Sequence, residues 1–255
     1  MVKKTLGVLG GMGPMASAEF FSLVTGLTKV ENDQDHIDII LRSTPSIPDR
    51  SAFILGESKE SPFDKIRSEL FALVEAGAGI IAVTCNTAEY FCRKLQNIIS
   101  VPILPICKIA VSDAKKMGYK KIGLLTTQGT VKADLYQKVC FDYDLEYELP
   151  SKENADVLTE IIYKYIKRSL AFPEASLLNI ACEMYSKGCD CLMLGCTELS
   201  LVADIFEKEN YNYIDSLRSL AVKSILACGG KLNSKANKYI KKTDRKTNEN
   251  FIFGY

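Results

Sequence analysis

Short apolar runs that end abruptly in small polar residues recur along the chain. The clearest spans residues 80–88 (Ile-Ile-Ala-Val-Thr-Cys-Asn-Thr-Ala), and residues 191–198 (Cys-Leu-Met-Leu-Gly-Cys-Thr-Glu) repeat the design. Each run predicts a buried parallel strand, and open α/β sheets place their ligands at the carboxyl ends of such strands. We therefore expect Cys85 and Cys196 to lie at a site between two halves of the chain.

Helical and strand patterns alternate through the rest of the sequence. Strands are predicted at residues 5–9, 36–43, 101–106, 121–125 and 214–215, and helices at about 62–76, 109–117, 154–169 and 174–187. Strand, Thr/Gly loop and helix recur in both halves, which suggests duplicated units. From residue 229 the composition shifts to Lys, Asn and Ser, which predicts a flexible or peripheral tail over 229–255.

The composition of the chain argues against a nucleic-acid-binding, a membrane-spanning or a secreted protein. The 255 residues are 47% hydrophobic and 25% charged with a formal net charge of +1, so no global field favours nucleic acid. No apolar run is long enough to span a bilayer, and the short apolar run at the N-terminus gives way to a glycine loop instead of a signal-peptide cleavage site. Nine scattered cysteines are typical of a reducing compartment, so we expect a cytoplasmic protein.

Metal and nucleotide cofactors are not predicted. His36 is the only histidine, and it is expected to be a structural hydrogen-bonding group, so a zinc site at the clustered cysteines is improbable. The loop at residues 10–14 (Gly-Gly-Met-Gly-Pro) lacks the order of a dinucleotide fingerprint. Its backbone N–H groups near a helix start are instead suited to a carboxylate.

Two cysteines presented alike suggest acid/base chemistry. Inversion of an α-carbon needs one group to remove a proton and another to return a proton on the opposite face, and a thiolate and a thiol meet that need. Asn86, Thr87 and Thr197 are placed to hydrogen-bond the thiolates or a substrate carboxylate. A lone cysteine more often packs as a small apolar group, and we expect this of Cys92, Cys107, Cys140, Cys182, Cys189, Cys191 and Cys228.

Arg50 follows a loop that two prolines hold extended. Taken alone, a solvated loop arginine and a planar fork for a substrate carboxylate explain it equally well.

The chain resembles the aspartate/glutamate racemase family from residue 6 to about 228. The matching stretches are residues 9–14 (Leu-Gly-Gly-Met-Gly-Pro), 46–50 (Ser-Ile-Pro-Asp-Arg), 85–88 (Cys-Asn-Thr-Ala) and 194–198 (Leu-Gly-Cys-Thr-Glu). The resemblance implies two similar three-layer α/β domains with mainly parallel sheets, related by a pseudo-twofold, with the active site in the cleft between them. It places the first domain at 1–104 plus about 206–228, the second at 105–205, and the tail at 229–255.

The resemblance also implies residue roles. Cys85 and Cys196 become the acid/base pair, Arg50 a carboxylate ligand, and Lys167 a ligand for the side-chain carboxylate of the substrate. Neither pyridoxal phosphate nor a metal is needed, and a homodimer is the expected assembly. The full set of expected substrate-binding residues is Met12, Gly13, Arg50, Asn86, Thr87, Thr127, Lys167, Thr197 and Glu198.

One position departs from the family pattern. Many members have histidine after Cys-Asn-Thr-Ala, whereas this chain has Glu89. A carboxylate near the cleft would oppose an acidic substrate or raise the pKa of Cys85 by like-charge repulsion. Racemisation of aspartate is the first hypothesis, with glutamate or broader specificity as variants. A related cysteine-dependent isomerase or decarboxylase of a diacid, and a catalytically silent amino-acid-binding protein, remain alternatives.

Overall fold

Two parallel β-sheets form the framework of the computed structural model, which describes residues 3–239. Within that range the first sheet has the strand order β2-β1-β3 and the second the order β5-β4-β6-β7. Every pairing between these strands is parallel. The strands are β1 (Leu6–Gly10), β2 (Ile39–Ser43), β3 (Ile80–Val83), β4 (Lys121–Leu125), β5 (Glu146–Glu148), β6 (Cys191–Leu194) and β7 (Tyr213–Asp215). The predicted α/β class with mainly parallel sheets is confirmed.

Helices connect the strands and cover the sheets. They are α1 (Pro14–Leu27), α2 (Arg50–Leu55), α3 (Phe63–Glu75), α4 (Glu89–Leu95), α5 (Ile106–Met117), α6 (Gln128–Lys132), α7 (Leu135–Asp142), α8 (Lys152–Glu160), α9 (Glu174–Ser186), α10 (Asp204–Lys208) and α11 (Ser216–Ala227). Short 3-10 segments lie at Asp33–Asp35, Ile166–Arg168, Thr197–Val202 and Ser234–Lys238, and a π turn at Ile161–Tyr165. None of the helices in residues 3–239 is long and apolar enough to cross a membrane.

Alternate residues of the strands divide between an inner and an outer core. Leu6 and Val8 of β1 share one core with Ile122 and Leu124 of β4, together with α1, α5, α7 and α11. The opposite face of the first sheet packs against α3 and α4, and that of the second sheet against α8 and α9. Because strands of both sheets are covered on two faces, they carry the continuous apolar runs seen in the sequence.

Two predicted strands differ from the structure. Residues 101–106 form only a single bridge, between Ile103 and Ile81, because Pro102 and Pro105 have no N–H to donate to a ladder. The last strand, β7, pairs with β6 in the second sheet, although residues 206–228 were expected to return to the first domain. The helix that follows, α11, packs beside both α1 and α5, which the predicted division assigns to different domains. The division into two domains otherwise stays a prediction.

The start of the expected tail is anchored to α1. Leu232 bridges Thr28, and the Asn233 amide donates to the carbonyl oxygens of Gly26 and Thr28 at 2.8 and 3.2 Å. Ala236 is fully buried. The first part of the predicted tail is therefore held against α1, and its remainder, 240–255, lies outside the described residues.

Candidate active site

Cys85 and Cys196 lie just beyond the carboxyl ends of β3 and β6. Each is only 6% exposed, and both line the same small cavity between the two sheets. The Thr197 hydroxyl donates to the carbonyl oxygen of Thr84 at 3.2 Å, which ties the two cysteine loops together. The structure therefore brings together the two thiols that the sequence pattern singled out.

The cavity contains nearly all of the expected site residues. Its lining is Met12, Arg50, Ser51, Cys85, Asn86, Thr87, Thr127, Tyr163, Lys167, Cys196, Thr197 and Glu198. Gly13 is not in the lining, but it contacts the site through its N–H. The free volume is about 10 Å³, close to what one water molecule needs.

Arg50 is held rigidly at the cavity wall. It is the first residue of α2, whose N-cap Asp49 accepts a hydrogen bond from the N–H of Ala52 at 2.8 Å. Its Nη1 donates to the carbonyl oxygens of Ile47 and Pro48 at 3.2 and 3.0 Å, and its Nη2 to that of Met12 at 3.1 Å. The reading as a solvated loop arginine is wrong, because the side chain is buried.

One edge of the Arg50 guanidinium is left for a ligand. Its Nε is buried without a nitrogen or oxygen partner, and Cys85 is the neighbouring side chain that hydrogen-bonds the guanidinium. Burial works to lower the pKa of Arg50, but the neighbouring Cys85 and Asp49 outweigh it and raise that pKa. A fixed cation with an open fork edge suits a carboxylate.

Lys167 reaches the cavity from an irregular helical segment. The predicted helix over 154–169 ends as α8 at Glu160, and the π turn and a 3-10 turn follow. Such interruptions re-aim side chains and are frequent at functional sites. The ammonium of Lys167 lies 4.6 Å from the ring centre of Tyr163. Burial opposes the charge of Lys167, but Glu198 and then Cys196 outweigh it, so the pKa of Lys167 is raised.

The carboxylate of Glu198 occupies the centre of the site. Its Oε1 accepts a hydrogen bond from the N–H of Gly13 at 3.1 Å and lies 3.4 Å from Lys167 Nζ. Its Oε2 lies 3.0 Å from Cys196 Sγ and 3.2 Å from Thr197 Oγ1, whose proton is donated to the carbonyl oxygen of Thr84. The glycine loop does bind a carboxylate, as predicted, but in this structure it is the chain's own.

Burial and charge act together on Cys196. Burial, and next the charge of Glu198, raise the pKa of Cys196 well above the ordinary thiol value of 9.0. Lys167 acts in the opposite direction with a smaller effect. In this arrangement Cys196 holds its proton and donates it towards Glu198.

A cluster of hydroxyl groups joins α2 to α6 beside the cavity. Thr127 Oγ1 lies 3.2 Å from both Ser51 Oγ and Thr87 Oγ1, and Thr87 Oγ1 lies 2.8 Å from that of Thr130. The close approach depends on Gly129, where a Cβ would lie 2.5 Å from the Cα of Ser51. Sequence reasoning missed Ser51 and Tyr163, although Ser51 follows Arg50 directly and Tyr163 precedes Lys167 by one helical turn.

The Asn86 side chain is already engaged within the protein. Its Oδ1 accepts from the Tyr136 hydroxyl at 2.7 Å, and its Nδ2 donates to Ser216 Oγ at 3.1 Å. Ser216 in turn donates to the carbonyl oxygen of Leu194, at the end of β6. The Asn86 amide therefore fixes the loop that carries Cys85, and its polar atoms have partners other than a substrate.

Glu89 does not face the cavity, contrary to expectation. It is 3% exposed, and it accepts hydrogen bonds from the N–H of Cys107 at 2.8 Å and from Arg93 Nη2 at 2.9 Å. Arg93 also donates to the carbonyl oxygen of Leu135 at 3.2 Å. Burial raises the pKa of Glu89, and Arg93 opposes this shift. Glu89 therefore belongs to a buried polar network behind the site.

The other cysteines are packing residues with one exception. All nine cysteines of the chain are free, and Cys182 is exposed, so its predicted burial is wrong. The remaining six outside the cavity are buried as expected. Among residues 3–239, no group of three or more His, Cys, Asp or Glu side chains is arranged to hold a metal ion.

Comparison with known proteins identifies the family. The Asp/Glu/Hydantoin racemase family profile matches residues 9–223. The broad specificity amino-acid racemase RacX of Bacillus subtilis is 27% identical over 227 residues, covering 86% of this chain and 96% of that protein. A glutamate racemase of Corynebacterium glutamicum is 28% identical over 179 residues, covering 63% of this chain and 62% of that protein.

A solved structure agrees over a similar length. The Picrophilus torridus aspartate racemase aligns with a TM-score of 0.79 at 28% identity, covering 92% of this chain and 99% of that one. Its similarity confirms the predicted α/β racemase fold. Since the family match runs from the glycine loop into α11, the chain belongs to the Asp/Glu/hydantoin racemase family, and these relatives support an amino-acid racemase.

Proposed function

We propose that this protein racemises aspartate without a cofactor, with Cys85 and Cys196 as the two acid/base groups. The observation that carries the proposal is the cavity itself, where both thiols meet together with the cations Arg50 and Lys167. Two thiols and two cations match what inversion of a diacid requires: a base, an acid and a partner for each carboxylate.

The proposed reaction moves one proton at each face of the α-carbon. A thiolate on one cysteine takes the α-proton, so the C–H bond breaks, an S–H bond forms and the electron pair remains on the carbon and its carboxylate. The thiol of the other cysteine then delivers its proton to the opposite face, which leaves that sulfur as the thiolate. Atoms and charge balance without an oxidant, a metal or a pyridoxal group.

Arg50 and Lys167 are proposed to hold the two carboxylates. The open Nε edge of Arg50 lies beside Cys85, where the α-carboxylate must be to stabilise the developing negative charge. Lys167 lines the same cavity and suits the side-chain carboxylate. The resemblance to an aspartate racemase structure over nearly the whole chain supports this assignment.

Racemisation of a broader set of amino acids is the second candidate. Lys167 is already paired with Glu198, so its charge is partly compensated before a substrate enters. Such a site discriminates less strongly in favour of a second carboxylate. The similarity to a broad specificity racemase over 86% of the chain agrees with this reading.

The decisive experiment combines a substrate panel with single cysteine variants. Chiral chromatography of L- and D-aspartate, glutamate, alanine and lysine reactions identifies the substrate. We expect Cys85→Ser and Cys196→Ser each to lose racemisation by at least about 10³-fold, because the hydroxyl is a far weaker acid and base. The exposed Cys182→Ser is the matched control and should retain full activity.

Other outcomes separate the alternatives. Full activity in either Cys85→Ser or Cys196→Ser contradicts the two-thiol mechanism. Products with a changed formula or connectivity identify a diacid isomerase or decarboxylase, and saturable binding without any reaction identifies a binding protein. We also propose a homodimer in a reducing compartment, and light scattering on the purified protein tests the assembly.

A further inference from the structure

Two hydrogen-bond donors and the sulfur of Cys196 lie against the carboxylate of Glu198. Its Oε1 faces two donors, the N–H of Gly13 and the Lys167 ammonium, and its Oε2 lies 3.0 Å from Cys196 Sγ. Glu198 is itself only 3% exposed. A carboxylate whose oxygens both accept leaves Cys196 as the donor of the 3.0 Å contact, so this sulfur carries a proton.

Cys85 has the opposite electrostatic environment. The unpartnered Nε of Arg50 is buried in the same wall, and Cys85 is the group that most strongly favours the Arg50 charge. The other titratable neighbour, Cys92, stays neutral because burial raises its pKa. Cys85 therefore meets a fixed cation, whereas Cys196 meets a fixed anion.

We propose that Glu198 is a positioning residue that keeps the resting proton on Cys196, so that the free protein presents Cys85 as the base and Cys196 as the acid. This inference rests on the proposed two-thiol racemisation and assigns Glu198 a role beyond substrate binding. It applies to the enantiomer whose α-proton faces Cys85. After that enantiomer reacts, the Cys196 thiolate lies against Glu198, and the repulsion favours return of a proton to Cys196 and loss of one from Cys85.

The groups that surround Cys196 are compatible with this role. Glu198 lies on its own loop, and Lys167 and Tyr163 face it from the irregular segment after α8. Burial raises the pKa of Tyr163 to about 12, so this phenol is neutral at physiological pH. Lys167 divides its charge between Glu198 and Cys196, and the carboxylate is the stronger partner.

Steady-state rates in the two directions cannot reveal the asymmetry. The equilibrium constant of racemisation is one, so kcat/KM must be equal for the two enantiomers whichever cysteine holds the resting proton. The protonation state has to be read from the sulfurs themselves. The pH dependence of alkylation by iodoacetamide reports this protonation state, because only the thiolate reacts. Low exposure of a thiol slows its alkylation by the same factor at every pH and does not move the midpoint of the profile.

The test measures alkylation of each cysteine against pH by peptide mass spectrometry in the full-length protein. In the wild type we expect the profile of Cys196 to have its midpoint above the ordinary thiol value of 9.0. Glu198→Gln removes the charge and keeps the shape, so alkylation of Cys196 near neutral pH should rise about tenfold, equivalent to one pH unit, with Cys85 unchanged. Glu160→Gln, in an exposed pair with Lys164, is the matched control.

A wild-type midpoint for Cys196 at or below the ordinary thiol value of 9.0 overturns the proposal, and this measurement needs no variant. An unchanged Cys196 profile in a folded Glu198→Gln protein also overturns it. Glu198→Asp retains the charge, so its Cys196 profile should stay closer to the wild type than that of Glu198→Gln. Absence of racemase activity contradicts the proposed function but leaves the alkylation profiles interpretable, so the two failures are distinguishable.

Discussion

Replacement of Arg93 by Met tests whether Glu89 is part of the structural framework. The side chain of Glu89 is 2% exposed, and Arg93 is the cation paired with it at 2.9 Å. Removing one partner of a buried ion pair costs about 3–5 kcal/mol, because the remaining charge has lost its compensation. Arg93 is itself 26% exposed, so water replaces part of the contact and we expect the lower end, about 3 kcal/mol. The total free energy of unfolding of a domain is rarely more than about 15 kcal/mol.

The loss of stability in Arg93→Met should depend on pH, in a direction that the pKa of Glu89 determines. Burial raises the pKa of Glu89 above its ordinary value of 4.5, so the folded state binds this proton more tightly than the unfolded state. Stability is therefore lost as the pH rises from 4.5 through the folded pKa. Without Arg93 that pKa rises further, so the deficit of Arg93→Met is smallest in acid and grows towards neutral and alkaline pH.

Urea unfolding followed by circular dichroism, at about pH 5 and pH 8, measures both effects. Arg67→Met is the matched control, because its pair with Asp64 is exposed at both ends and should cost at most about 1 kcal/mol. Adding Glu89→Gln to Arg93→Met removes the orphaned charge and should restore part of the stability. Equal unfolding midpoints for Arg93→Met and Arg67→Met at pH 8 refute the reasoning.

Two further predictions concern Arg50 and Glu183. Arg50→Lys keeps the charge but loses the forked contact with a carboxylate, which is worth about 2 kcal/mol. We therefore expect kcat/KM to fall about 30-fold, with a raised KM. Arg42→Lys, on the surface, is the control and should have no effect on activity. Burial works against the charge of Glu183, but Lys187, Asn154 and Ser151 outweigh it and lower the pKa of Glu183 to about 2. The stability that the ionised Glu183 carboxylate contributes is fully present above pH 4.5 and is lost as the pH falls through about 2. Glu183→Gln should therefore lower the free energy of unfolding by roughly 1 kcal/mol at neutral pH, after solvent screening, and by nothing at about pH 2. Urea unfolding at the two pH values measures the difference.

The strands that end at the candidate site were predictable because burial on both faces leaves a clear apolar run. The stretches at 80–88 and 191–198 contain β3 at Ile80–Val83 and β6 at Cys191–Leu194, and each strand ends before its cysteine loop. The strand expected at 101–106 and the helix expected at 154–169 failed for different reasons. Two prolines deprive the first of ladder donors, and helical periodicity cannot separate an α-helix from the π and 3-10 turns that follow Glu160.

The sequence predicted which residues belong to the candidate site better than it predicted the directions of their side chains. Position after a strand brought Cys85 and Cys196 to one cavity, and the family pattern added Arg50 and Lys167. The direction of a side chain depends on partners distant in sequence. The Glu89 side chain points away from the cavity because its partners, Arg93 and the N–H of Cys107, lie behind the site. The Glu198 side chain contacts Gly13, which is distant in the sequence.

Deuterium incorporation tests the central claim most directly. The protein is incubated with L-aspartate in D2O under reducing conditions, and then separately with D-aspartate, and both enantiomers are recovered early in the reaction. The two-thiol account predicts deuterium at the α-carbon of the newly formed enantiomer, with the recovered starting enantiomer unlabelled, in both directions. Equal labelling of the recovered starting enantiomer indicates a single base, and persistence of every α-proton despite binding contradicts racemisation of aspartate altogether.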